Sequence, residues 1–217
     1  RLFIVSSHNT PAPNALMIDR LTAIALNNDI EPIIVFNKAD LGSMEKWFNI
    51  YTNAGFKCIV ASVLTGEGCD EILSLLSGGI SAFTGNSGVG KSSLLNKMFP
   101  DLALQTGEVS DKLGRGRHTT RHVELFKVNN GYVADTPGFS SLDIERTMPL
   151  TKEQLPFVFP EFEKYFGLCK FTSCTHTVEK GCAVLDAVEC GNIEKTRHES
   201  YRYIFNEVKD IKEWEKR

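Results

Sequence analysis

Nowhere in the 217 residues is there an apolar run approaching the roughly 20 that a membrane span requires, and the opening residues show no signal-peptide pattern. Neither membrane insertion nor export is therefore expected. Positive charge is not in excess either: 24 Lys and Arg stand against 27 Asp and Glu, a net charge of −3. That balance excludes bulk attraction to nucleic acid as the basis of function. The absence of internal repeats and low-complexity tracts excludes a solenoid or a disordered linker. Cysteine is sparse outside one cluster; three of the six lie between Cys169 and Cys182. With no export pattern, these thiols point to a reducing, cytoplasmic setting and not to a disulfide framework. Hydrophobic content of 42% and charged content of 24% are ordinary for a folded chain. The length suits one α/β domain and something smaller.

The strongest positive feature is Gly85-Asn86-Ser87-Gly88-Val89-Gly90-Lys91-Ser92-Ser93, which fits G-x-x-x-x-G-K-[ST]. Ile80–Thr84 before it reads as a strand, and Ser93–Met98 after it as a helix. Glycine lets backbone N–H groups close on phosphate oxygens where a Cβ would obstruct them. The helix start adds unpaired amides and a dipole that favours an anion. Lys91 can reach the β- and γ-phosphates, and the Ser92 hydroxyl can ligate Mg²⁺. Binding of a nucleoside triphosphate is expected.

Around that loop, apolar runs and helical spacings alternate. Leu2–Ser6, Pro32–Phe36 and Lys57–Ala61 read as strands, and Ala15–Leu26, Met44–Ala54 and Glu67–Leu76 as helices. His122–Val128 and Tyr132–Ala134 read as two strands about the turn Asn129-Asn130-Gly131. Residues 105–121 lack apolar periodicity and read as a long mobile loop. Beyond Pro149 the pattern becomes helical, then cysteine-rich, then helical through Ile193–Trp214, with Tyr201, Ile204, Phe205 and Val208 on its packing face. Alternation of strands and helices predicts an α/β fold with a mostly parallel sheet over residues 1–148. A small helical, metal-binding unit over residues 149–217 is expected to follow. Opening directly on the strand Leu2–Ser6 suggests that an N-terminal portion precedes it.

Asn37-Lys38-Ala39-Asp40 follows directly on a buried strand, where parallel sheets bind ligands. The Asp40 carboxylate can accept from both the N1–H and the exocyclic amine of guanine; adenine offers neither. Such a bidentate contact discriminates by about 1–3 kcal/mol. Asn37 would tie this loop to the phosphate loop, and the Lys38 stem would lie over the base. Ser62, opening Ser62–Gly68, heads a loop whose amides could meet the guanine carbonyl. Asp135-Thr136-Pro137-Gly138 places a carboxylate to hold Mg²⁺ through water and a Gly138 N–H to meet the γ-phosphate. Thr119 and Thr120 are both candidates for the threonine that senses the γ-phosphate and Mg²⁺. These are the five elements of a Ras-like GTPase in altered order, with the base elements ahead of the phosphate loop. Rejoining a fold at surface loops preserves its core contacts, so a circularly permuted, P-loop GTPase domain is expected.

Cys169, Cys174, His176 and Cys182 are spaced C-x4-C-x-H-x5-C. Three thiolates and an imidazole complete the tetrahedral shell of one structural Zn²⁺, leaving no open position for catalysis. Cys190 is a possible competitor but reads as a helix end, and Cys58 and Cys69 as ordinary core or loop residues. From Pro149 onward, 11 Lys and Arg face 12 Asp and Glu, so contact with RNA there must use shape or local patches.

Taken together, N-K-A-D, T-G-x-G, G-N-S-G-V-G-K-S-S, G-R-H-T-T, D-T-P-G-F and the cysteine cluster make the chain resemble the ribosome small subunit-dependent GTPase A family over nearly its whole length. That resemblance implies GTP hydrolysis to GDP and phosphate in late maturation of the small ribosomal subunit, with the subunit and its rRNA as partner and stimulator. It implies the same four zinc ligands and an N-terminal RNA-binding OB-fold ahead of the residues read here. Arg121 departs from it, since many relatives carry a third threonine there.

Ras-type enzymes orient the attacking water with a glutamine just after D-x-x-G. Phe139 occupies that position and cannot hydrogen-bond, so slow turnover by the isolated chain and completion of the site by a partner are expected. His118, beside the threonines, is the internal candidate for positioning water; the resemblance assigns catalysis to the matching histidine. Lys112, Arg115, Arg117 and Arg121 make the same loop basic, which suits either plain solvation or a report of nucleotide state to RNA phosphates. The chain is read as a monomer. Two rival readings are a GTP/GDP-binding scaffold with negligible hydrolysis and a zinc-dependent RNA-binding adaptor.

Overall fold

The computed structural model describes residues 1–102, 124–128, 130–135 and 150–210. Strands β1 (Leu2–Ser7), β2 (Pro32–Asn37), β3 (Lys57–Val60), β4 (Ile80–Thr84), β5 (Glu124–Val128) and β6 (Gly131–Asp135) form one sheet. Its order is β3-β2-β1-β4-β6-β5, so the fourth strand of the chain lies at the centre of the sheet. All neighbours are parallel except the β5–β6 hairpin, where Val128 faces Gly131 across the turn expected from Asn129-Asn130-Gly131.

Side chains of the central strands alternate between two cores, as the pleat requires. Leu2, Ile4, Ile34 and Phe36 face α1 (Ala15–Asn27) and α2 (Glu45–Asn53). Phe3, Val5, Ile33 and Val35 face α3 (Cys69–Leu75) and α4 (Lys91–Met98). With both faces covered, β2 is buried at every residue, which explains its uninterrupted apolar run. Each such Ile or Phe removed from water contributes roughly 1.5–3 kcal/mol. Asn14 starts α1 by accepting the Met17 amide at 3.1 Å, satisfying one of the free N–H groups of the first turn.

The segment after Leu150 is helical as expected, but not as an α-helix. It forms two 3₁₀ helices, Leu155–Val158 and Pro160–Tyr165, because Pro156 and Pro160 remove amide donors that an α-helix needs. Then come α5 (Ala183–Glu189) and α6 (Lys195–Val208). Helix α6 starts later than the expected Ile193, behind Glu194 in an extended conformation, and residues 211–214 of the expected helix lie outside the described residues. Tyr201, Ile204 and Val208 are buried as expected.

Docking of α6 onto the cysteine-bearing loop is seen, but α6 also packs against α1. Leu155, Val158, Phe162, Tyr201 and Ile204 join the same apolar cluster as Ile18, Leu21 and Ile34. At the centre of the junction Arg197, 1% exposed, donates from Nη1 to Asp19 Oδ1 at 2.6 Å. It also donates from Nε and Nη2 to the two Glu161 oxygens, at 2.7 and 3.0 Å. Phe159, Phe56 and Tyr51 surround the guanidinium, the nearest ring centroid at 4.6 Å. Burial by itself lowers the guanidinium pKa; the two carboxylates outweigh it, raise the pKa and keep Arg197 charged. Among the described residues no helix is long and apolar enough to cross a membrane.

Candidate functional site

The ends of β1, β2, β3 and β4 bring four loops to one edge of the sheet. Residues 85–90 join β4 to α4, and the turn demands glycine at two close approaches. A Cβ at Gly85 would sit 2.1 Å from the Val5 carbonyl oxygen, and one at Gly90 2.5 Å from Asn37 Nδ2. Both residues have positive φ, +139° and +93°. The motif's glycines thus let the loop lie directly on its neighbours.

The base-recognition loop meets it there. Asn37 ends β2 with its side chain buried and donates from Nδ2 to Val89 O at 2.9 Å, the tie expected from the sequence. Lys38, in the left-handed region at φ +62°, donates from Nζ to Gly88 O at 2.7 Å and Thr10 O at 3.0 Å. Ala39 N donates to Ala61 O at 3.1 Å, and Ser62 Oγ donates to Asp40 Oδ1 at 2.5 Å. Residues 37–40, Ser62 and the phosphate loop therefore form one hydrogen-bonded assembly. The Lys91 ammonium is held over its own loop by Gly85 O at 2.8 Å and Asn86 O at 2.9 Å, and burial lowers its pKa. An anion seated on this loop would meet the start of α4 and the Lys91 charge together. Ser92 and Ser93 open α4 on the same edge, half-buried.

Asp135 ends β6 beside β4, where Ala82 pairs with Ala134, at the same edge of the sheet. The Asp135 side chain, Gly138, Phe139, His118, Thr119, Thr120 and the basic residues Lys112, Arg115, Arg117 and Arg121 lie outside the described residues. One contributor was missed in the sequence: the loop His8–Asn14. Thr10 O accepts from Lys38, Ser7 Oγ donates to Asn9 O and Pro11 O, and the His8 ring occupies the space a Cβ at Gly42 would need. Its position after a parallel strand, at the ligand-binding edge, was the available signal.

Residues 1–145 match the family model described as RsgA GTPase. The chain belongs to the RsgA GTPase family. It is 46% identical over 211 residues to the small ribosomal subunit biogenesis GTPase RsgA of Moorella thermoacetica, covering 96% of this chain and 72% of that one. A Geobacillus sp. relative of the same name is 44% identical over 215 residues, again covering 96% and 72%. YjeQ from Thermotoga maritima superposes with a TM-score of 0.75 at 33% identity, over 96% of this chain and 70% of that one. YloQ, described as a circularly permuted GTPase, gives a TM-score of 0.77 at 32% identity, over 98% and 69%. The mostly parallel α/β sheet and the permuted order of its motifs are thus those of an RsgA-type GTPase, a hydrolase acting on GTP.

This RsgA-family chain carries a second cluster. Cys169, Cys174, His176 and Cys182 bring their four ligand atoms within 4.8 Å of one another. Cys169 Sγ and Cys182 Sγ lie 3.6 and 3.5 Å from His176 Nδ1 and 3.9 Å apart. Tetrahedral bonds of about 2.3 Å to sulfur and 2.0–2.1 Å to nitrogen require edges of about 3.5–3.8 Å. The cluster therefore has the size and donor set to hold zinc. His176 reaches it from a left-handed conformation, φ +59°, that Glu179 stabilises by gathering the loop. The Glu179 carboxylate accepts the amides of Thr175 at 2.8 Å and of Thr177 and Val178 at 3.0 Å, and also the Thr175 hydroxyl. Partial burial raises its pKa, but these hydrogen bonds prevail and hold it at about 2.

Helix α6 backs the loop through the His198 ring on His176 O and the Tyr201 hydroxyl on Thr175 O, each at 2.8 Å. Ala183 N donates to Cys169 Sγ at 3.4 Å. Burial pushes the Cys174 thiol up to about 12, against a hydrogen bond from the His176 amide, so a thiolate there calls for a cation beside it. Cys190 caps the far end of α5, exposed and apart from the cluster.

Proposed function

We propose that this chain hydrolyses GTP to GDP and phosphate during late maturation of the small ribosomal subunit, and that the subunit stimulates it. The observation that supports the reading best is the joining of Asn37–Asp40, Ser62 and the phosphate loop through Asn37–Val89 and Lys38–Gly88. Asp40 accepts from the two donors of guanine, and the Lys38 stem covers the base. The amides from Gly85 to Ser93 cradle the phosphates, and Lys91 neutralises charge developing on the β- and γ-oxygens. Ser92, Asp135 and either Thr119 or Thr120 would hold Mg²⁺, which supplies further charge neutralisation when bound. Water oriented by His118 attacks the γ-phosphorus. The bond to the β–γ bridging oxygen breaks, its electron pair leaves with GDP, and the water proton passes to phosphate.

Cys169, Cys174, His176 and Cys182 would hold one structural Zn²⁺ in a unit beginning near residue 149. The chain works as a monomer in the cytoplasm, against the subunit and its rRNA. The relatives named above are described as small ribosomal subunit biogenesis GTPases, and this supports the partner. Phe139 in place of a water-orienting glutamine supports stimulation. The test is GTP turnover by the chain alone and with purified small subunits. A large rate increase specific to the small subunit is expected; equal rates with small and large subunits would contradict the reading.

A further inference from the structure

A cleft of about 300 Å³ opens on the metal cluster; its lining includes Pro156, Phe157, Phe166 and Phe171 together with three of the four cluster residues, Cys169, Cys174 and His176. Two of its rings face solvent to an unusual degree, Phe157 at 72% and Phe171 at 51% exposure. Phe157 stands edge-on to Phe166 with centroids 5.2 Å apart, so one ring is packed and the other is open. Lys170 Nζ lies 5.6 Å over the Phe171 ring, and Lys164 Nζ 5.2 Å over Tyr165. Between residues 164 and 182 the chain carries three lysines and a single acid, Glu179. The carboxylate of that acid is engaged by Thr175, Thr177 and Val178. In a chain of net charge −3, the stretch from Lys164 to Cys182 thus carries a local excess of lysine beside exposed rings.

Open rings beside ammonium groups suit an unpaired nucleotide, whose base stacks while its phosphates meet the lysines. A cleft near 300 Å³ is at the small end of ligand pockets and fits one ring system, not a duplex (about 300–1,000 Å³ is usual). We propose that this cleft takes a single unpaired RNA base, stacked on Phe157 or Phe171, with Lys170 and Lys164 on the flanking phosphates. The inference rests on the RNA partnership proposed above and names where on this chain it is made. An apolar side chain of a protein partner would fill the same cleft but would make no use of the lysines.

The experiment uses the 217-residue chain with its zinc. It measures binding to a short fluorescein-labelled single-stranded RNA of mixed sequence and, separately, to small ribosomal subunits. Phe157→Ala and Phe171→Ala remove exposed rings, so zinc content and Tm should match the parent. Each is expected to weaken RNA binding by about 5- to 100-fold, the range for losing one base stack. Lys170→Ala is expected to reduce the salt slope of RNA binding by about 1. Leu168→Ala, equally apolar and exposed but outside the cleft, should change neither. Unchanged RNA affinity in the double phenylalanine variant overturns the site; if that variant still loses the subunit, the cleft docks protein. A parent chain that binds no single-stranded RNA overturns it as well. A parent that binds RNA through these rings but not the subunit supports the base site and contradicts the ribosomal reading instead.

Discussion

The nucleotide edge and the cysteine loop both converge polar groups on a small volume, but they are held in different ways. At the nucleotide edge, protein hydrogen bonds already connect the parts: Asn37 to Val89, Lys38 to Gly88, Ser62 to Asp40, and Lys91 to its own loop. In the cysteine loop, Glu179, His198 and Tyr201 arrange the backbone, while the four ligand atoms crowd together with one buried and two half-buried thiols. The first region is organised before its ligand arrives; the second has its four donors placed where a cation could turn their crowding into bonds. The Arg197 junction is a third case, a buried cation paired with two of the chain's own carboxylates.

Stripping zinc with a strong chelator should have the largest effect, because metal binding in small zinc units carries about 10–16 kcal/mol of folding free energy. Hydrogen exchange should show residues 166–190 losing protection while β1, β2 and β4 keep theirs. Equal loss in both regions would remove the distinction. Arg197→Leu comes next: it strands Asp19 and Glu161 as buried carboxylates and should cost about 3–5 kcal/mol in denaturant unfolding. A loss under about 1 kcal/mol, the range of surface pairs, would show that the junction is wet.

The smallest effect belongs to Glu179→Gln. The folded pKa of Glu179 is depressed from 4.5 to about 2, so its contribution is complete above 4.5 and disappears as pH falls through about 2. The Gln variant should therefore be less stable than the parent near neutral pH, with the two thermal-unfolding profiles converging as pH falls below 4.5. A gap that stayed constant across that window would mean the carboxylate charge has no part in gathering the loop.

Much of the sheet was legible because β2 and β1 are buried on both faces and must be continuously apolar. The phosphate and base loops were legible because their chemistry needs those residue types at fixed spacing. The Arg197 junction was not. Lys195-Thr196-Arg197-His198-Glu199-Ser200 reads as a solvated helix face, and the partners that bury Arg197 lie 36 and 178 residues away. The helical character of the segment after Leu150 was legible, but not its 3₁₀ form, which Pro156 and Pro160 decide. His8–Asn14 went unassigned because its contributions are backbone carbonyls, which any residue supplies.

The central claim is that the edge formed by Asn37–Asp40, Ser62 and the phosphate loop recognises a guanine nucleotide, and Asp40→Asn tests it most directly. Binding of GTP and of xanthosine triphosphate should be compared in the parent and the variant by titration calorimetry. The substituted amide can no longer accept both guanine donors, so GTP should weaken by about 1–3 kcal/mol, roughly 5- to 150-fold, and xanthosine triphosphate should gain. Unchanged affinity for both nucleotides would place the base somewhere other than Asp40 and contradict the account.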